Sequence, residues 1–107
     1  MAVIEDYSPI YAGDTASPLV AQFSYKDGSA VNLTGATISM KMEDSAGNEK
    51  AASGTWTIDD VTGGNAHYNY ANADVNEVGM WTLFITITIG GKPEHADERL
   101  LEIKHAP

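Results

Sequence analysis

The chain contains no cysteine. That excludes disulfide staples, thiolate metal sites and a cysteine nucleophile. Basic residues are also scarce: six Lys and Arg stand against 15 Asp and Glu, for a net charge of −9. A phosphate backbone or an anionic membrane surface would be repelled, so neither nucleic acid nor membrane is expected as a partner. The acidic excess suits solubility, and it also suits a basic protein partner. Long apolar runs are missing, and none approaches the roughly 20 residues of a membrane span. The opening MAVIEDYSPIY carries early acids but no basic leader segment and no apolar signal core. Synthesis in the cytoplasm without a signal peptide is therefore expected. Helical periodicity is nearly absent.

What the chain does have is alternation. Its 107 residues suit one domain over residues 1–107, and 43% apolar content is enough for a core. Leu19, Ala21, Phe23 and Tyr25 alternate against Val20, Gln22 and Ser24. Asp27-Gly28 follows as a hairpin signal, with Ala30-Val31 as the return arm and a type I′ turn expected. Leu33 is placed to plug one end of the core. Ala36, Ile38, Met40 and Met42 then alternate with Thr37, Ser39, Lys41 and Glu43. Residues 44–53 read as polar, with a turn at Gly47-Asn48. A short strand over 55–58 turns Trp56 and Ile58 inward.

Residues 59–65 read as a loop with Gly63-Gly64. The strand over 66–70 places Tyr68 and Tyr70 on one face and His67 on the other. Asn72-Ala73-Asp74 opens one helical turn that ends before Gly79 and carries the chain between sheets. The strongest strand, over 80–89, aligns Trp81, Leu83, Ile85, Ile87 and Ile89, with Phe84 interrupting the polar face. Gly90-Gly91 turns it back through residues 94–104, with Leu101 and Ile103 inward. About seven short strands with turn signals every 8–12 residues define an all-β fold: an immunoglobulin-like antiparallel β-sandwich with Greek-key connections. Trp56, Trp81 and Phe23 are expected to replace an inter-sheet disulfide.

Chemistry-bearing motifs are few. His67, His95 and His105 show no HExxH pairing, no GxSxG elbow is present, and no calcium-loop pattern DxDxDG occurs. Asp59-Asp60 and Asp74 with Glu77 are carboxylate pairs that suit turn capping better than a cation. Asn32-Leu33-Thr34 matches the glycosylation pattern, but without a signal peptide the match is read as chance, and Asn32 to Gly35 is read as a turn. No catalytic residue, cofactor or metal is assigned. Tyr7, Ile10, Tyr11 and Phe84 are the candidate partner-interface residues, because aromatics anchor interfaces and an N-terminal edge strand can pair.

The stretch GDTASPLVAQFSYKDGSAVNLTGATISMKMEDSAGNE, residues 13–49, resembles the N-terminal domain of phage baseplate upper proteins and related small phage tail domains. The likeness rests on Gly13-Asp14-Thr15, the strand from Leu19 to Phe23, Asp27-Gly28 with Val31, and Leu33-Thr34-Gly35-Ala36-Thr37. Asp74, Gly79 and Trp81 match a later aspartate–glycine–aromatic segment, with Trp81 standing where that family often has tyrosine. The resemblance implies an immunoglobulin-like fold and a structural, non-enzymatic role in a phage or prophage virion. The implied partners are other tail or baseplate proteins, with homo-oligomers as a further expectation, and the implied location is the virion tail. A capsid decoration protein and a carbohydrate-binding module are the alternative readings.

Overall fold

The computed structural model describes residues 3–4, 10–16, 18–96 and 99–105. Among these, the strands are β1 (Val3–Ile4), β2 (Ile10–Tyr11), β3 (Leu19–Gln22), β4 (Thr37–Asp44), β5 (Glu49–Ala51), β6 (Thr55–Asp60), β7 (Asn65–Asn69), β8 (Gly79–Ile89), β9 (Lys92–His95) and β10 (Arg99–Lys104). One helical turn, α1 (Asn72–Val75), lies between β7 and β8.

The strands form two sheets. One has the order β1-β3-β7-β6; the other runs β2-β10-β8-β4-β5, with β9 also on β8. After β3 the chain changes sheet between β3 and β4, between β5 and β6, and between β7 and β8. Those crossings give the Greek key. With β1, β3, β7 and β6 as strands A, B, E and D, and β4, β8 and β10 as C, F and G, the order is that of an immunoglobulin sandwich. The pairings are antiparallel except one: β2 lies parallel to β10, with Ile10 beside Ile103. The opening segment thus divides between sheets, β1 joining β3 and β2 joining β10.

Alternation explains the packing. Met40 and Met42 of β4, and Trp81, Leu83, Ile85 and Ile87 of β8, are buried against Leu19, Ala21, Phe23, Tyr68 and Tyr70 from the opposite sheet. Each sheet carries one apolar face, and facing the two removes both from water. Leu33 is buried, as its plug position requires. Phe23, Trp56 and Tyr68 form an aromatic run, with ring centroids 6.1 and 5.3 Å apart, and Tyr70 meets Tyr68 edge-on at 5.4 Å. Trp81 sits apart from this run, at the α1 corner.

Several local expectations change. Tyr25 is exposed, because β3 ends at Gln22 and Tyr25 belongs to the turn. That turn is not type I′. Gly28 N–H donates to the Tyr25 carbonyl and Tyr25 N–H to the Ser29 carbonyl, so Lys26-Asp27-Gly28 make a three-residue loop with Gly28 at φ 90°. The 44–48 turn repeats this pattern, with Gly47 at φ 88°. A positive φ at the last loop position is what glycine supplies there. Residues 49–51 are a strand, although their composition is polar, because they pair along β4 from Lys41 to Glu43. The return after Gly90-Gly91 is divided into β9 and β10, which share one edge of β8.

Candidate docking face

The outer face of the β8 sheet is built by simple alternation. Along β8, Met80, Thr82, Phe84, Thr86 and Thr88 face away from the core. Leu100 lies opposite Thr82 and Glu102 opposite Met80. On the other side, Glu43 lies opposite Thr82 and Lys41 opposite Phe84. Leu100 is 63% exposed and Met80 44%, a high exposure for side chains of this kind. Tyr11, 46% exposed, stands beside Lys104 at the sheet margin. The result is a face on which Met80, Leu100 and Phe84 alternate with Thr82 and Glu102, with Lys41 and Glu43 on one side and Lys104 and Tyr11 on the other.

The candidate interface residues do not all fall on this face. Tyr11 and Phe84 do. Ile10 turns the other way and packs half-buried against the core. Tyr7 lies outside the described residues. Phe84 is half-buried because Lys41 Nζ sits over its ring, 5.4 Å from the centroid. Lys41 also pairs with Glu49 at 3.2 Å; both are about half exposed, so the pair contributes little. A shallow groove runs between Lys41, Phe84, Thr86, His95 and Ala96. His95 Nδ1 lies 3.1 Å from the Thr86 hydroxyl on its wall. Met80 and Leu100 were not among the expected interface residues. Their positions in the alternation were legible; the exposure of Leu100 depends on the register of β10 against β8.

The carboxylates serve the fold. Asp74 was expected in a loop pair with Glu77, but it is fully buried. Its Oδ1 accepts from Ser53 N–H at 2.7 Å, and its Oδ2 accepts from the Tyr68 hydroxyl at 2.6 Å and Ala71 N–H at 3.0 Å. The Ala71 contact is the third-position carboxylate reaching back to the N-cap, half of a capping box. Tyr68 oxygen in turn accepts from Gly54 N–H at 2.6 Å. Burial, then the Asp74 hydrogen bond, hold the Tyr68 hydroxyl well above the usual tyrosine range. A Cβ at Gly54 would collide with the Asn69 carbonyl and the Tyr68 hydroxyl. This clasp ties the β5–β6 crossing to β7 and α1.

Trp81 completes the corner. Its indole N–H donates to the Glu77 carbonyl at 3.1 Å, four residues upstream, as a tyrosine hydroxyl does in a tyrosine corner. Lys50 Nζ lies 4.5 Å from the Trp81 ring centroid and donates to the Ala73 carbonyl at 2.7 Å.

The outer face of the other sheet, β1-β3-β7-β6, is largely polar, with Val20 exposed beside His67. His67 Nδ1 lies 2.7 Å from an Asp59 oxygen. Asp60 accepts from Gly63 N–H and the Thr62 hydroxyl. Asp27 and Asp44 cap the two three-residue loops. Hydrogen bonds from Ser29, led by its hydroxyl, and from Asn48, led by its N–H, hold these carboxyls below the usual range. Asn32 accepts from Thr34 N–H and hydroxyl within the turn expected from Asn32 to Gly35. Among the described residues, no three His, Asp or Glu side chains gather as a metal set, and no helix is long and apolar enough to cross a membrane. A scan against protein-family models and a search of curated proteins each found no match to this chain.

Proposed function

We propose that the chain is a non-enzymatic structural module that works through protein–protein assembly, as an adaptor in the tail or baseplate of a phage or prophage virion. The observation that carries the assembly reading is the outer face of the β8 sheet. There Met80, Leu100 and Tyr11 are exposed and Phe84 half-buried on one sheet face, among Thr82, Lys41, Glu43, Glu102 and Lys104. Several large apolar side chains exposed together among charged ones on one face suit a protein interface. The virion setting rests on the resemblance of residues 13–49. Tyr68 and Tyr70 are buried in the core, which leaves them unable to stack on a sugar and weighs against a carbohydrate-binding module.

The test is immunogold electron microscopy of particles from the source phage or induced prophage, alongside particles carrying Leu100→Glu. Label at the tail tip, lost with the variant, is the expected result. Label on the heads instead makes the chain a capsid decoration protein. No label on intact or opened particles, with the antigen present in the lysate, ends the virion reading.

A further inference from the structure

The flank of the sandwich between β4 and β6 is open over part of its length. Among the described residues, β6 is the last strand of its sheet and pairs only with β7. β5 covers β4 from Lys41 to Glu43, and Ala52 N–H extends that cover to the Met40 carbonyl. Residues 37–39 of β4 pair with β8 on one side and, among the described residues, have no strand on the other. Two unpaired edges therefore stand opposite each other, one from each sheet. Between them lies a slot lined by Ala36, Thr37, Ile38, Thr55, Trp56 and Ile58, with a volume of about 320 Å³.

The slot has defined ends. The β5–β6 crossing closes one, held by the Asp74 contact to Ser53. The other is closed by the Leu33 N–H bond to the Val61 carbonyl, 2.8 Å. The interval along β6 is residues 55–58, roughly 13 Å of extended chain. Its floor is apolar, with Ile38, Trp56 and Ile58 half-buried against the core. Trp56 lines the slot, and its buried indole N–H has no acceptor among the described residues. A buried donor left unmet is uncommon in a folded protein and costs free energy.

We infer that this slot is a receptor for an extended, basic segment of another protein, added along the free edge of β6. Three features match that occupant. The β6 edge offers alternating N–H and carbonyl groups, which an extended backbone satisfies in register. The apolar floor takes every second side chain of such a segment, and a carbonyl or hydroxyl oxygen of the segment answers the Trp56 N–H. Asp59 and Asp60 end β6, no Lys or Arg lines the slot, and the chain carries −9 overall, so flanking lysines or arginines complement it. A second copy of this chain brings the same negative charge and is disfavoured. The slot is on a different surface from the docking face of the β8 sheet, and the inference stands whether or not the chain is a virion protein.

The experiment is a titration of the isotope-labelled chain at low salt, followed through its backbone and indole N–H resonances. The probe is a capped seven-residue peptide of alternating valine and threonine with lysine at both ends. Saturable shifts are expected at residues 55–58 and 36–38, together with a downfield move of the Trp56 indole proton. The Trp81 indole stays in place, because Glu77 already accepts from it. Trp56→Phe, which keeps a ring against Phe23 and Tyr68, weakens the peptide by about fivefold through loss of one hydrogen bond. A glutamate-ended peptide binds at least about fivefold more weakly than the lysine-ended one at low ionic strength. Absence of saturable shifts at millimolar peptide overturns the inference. So do shifts centred on Phe84 and Leu100, which would instead assign the peptide to the docking face.

Discussion

Two stretches of one flank of the sandwich show opposite solutions to the same problem. Where the chain crosses from β5 to β6, the gap between sheets is closed by polar groups. Asp74 and Tyr68 are both buried, and the donors around them meet acceptors. A few residues further along β6 the gap is open, and the Trp56 N–H is unmet. Both stretches lie over the same aromatic run, since Trp56 packs directly on Tyr68. The difference is therefore not core quality. At the crossing, backbone N–H groups are turned inward by the change of sheet and need an acceptor; one carboxylate supplies it. Along the slot the strand is regular, so its unpaired groups point outward and stay available. The fold places its buried carboxyl side chain where the chain must turn and leaves its straight edge free.

Removing the carboxylate should separate the two stretches most sharply. Asp74→Ala strands Ser53 N–H, Ala71 N–H and the Tyr68 hydroxyl, and a loss of about 3–4 kcal/mol is expected in denaturant unfolding. A loss below about 1 kcal/mol would mean that the clasp is replaceable and the contrast with the slot is superficial. Gly54→Ala comes next. The new methyl meets the Asn69 carbonyl and the Tyr68 hydroxyl, and overpacking of this kind costs about 1–3 kcal/mol by the same measurement.

The pH dependence sharpens the comparison from another side. Burial and the Asp74 bond raise the Tyr68 ionisation in the folded chain, whereas the unfolded chain ionises it at the ordinary value of 10.0. The stability that follows from this difference is complete below that value. It declines as the pH rises above it, because only the unfolded form releases the proton there. Unfolding midpoints of Tyr68→Phe should therefore fall less steeply than wild type above pH 10. Parallel slopes would show that the phenol is not protected. The smallest effect belongs to the slot. Trp56→Phe should change stability by less than about 1 kcal/mol, since the lost ring area is offset by removal of an unmet donor. A larger loss would show that the N–H already has a partner in solution.

Much of the architecture was legible. Alternation in residues 19–23, 36–43, 66–70 and 80–89 gave the inward and outward sets, and Leu33, Tyr68, Tyr70 and the β8 face are buried accordingly. The single turn at residues 72–75 was legible from Asn72-Ala73-Asp74, although its N-cap is Ala71, one residue earlier than expected. The failures have a common cause. Glu49–Ala51 is a strand because β4 offers an edge, and no feature of Glu-Lys-Ala encodes that. Tyr25 continues an alternation that the backbone has already left. Asp74 looked like a surface carboxylate, and the three groups that justify its burial come from residues 53, 68 and 71. Of the candidate interface residues, Ile10 packs half-buried against the core because its parallel pairing with Ile103 turns it inward, a pairing that its own neighbours do not encode.

By itself the sequence determined the periodicity, and with it a two-sheet sandwich, because every strand carries one apolar face that only another sheet can cover. It also determined the acidic surface and the absence of thiol chemistry. Tertiary structure decided the rest: which strands lie at edges, where Leu100 and Tyr11 emerge, and where a carboxylate is enclosed. It also decided that Trp56 stands at an opening while Trp81 finds an acceptor. The physical reason is range. Alternation is a property of neighbours along the chain, whereas edges, clasps and slots arise from pairings between residues far apart in it.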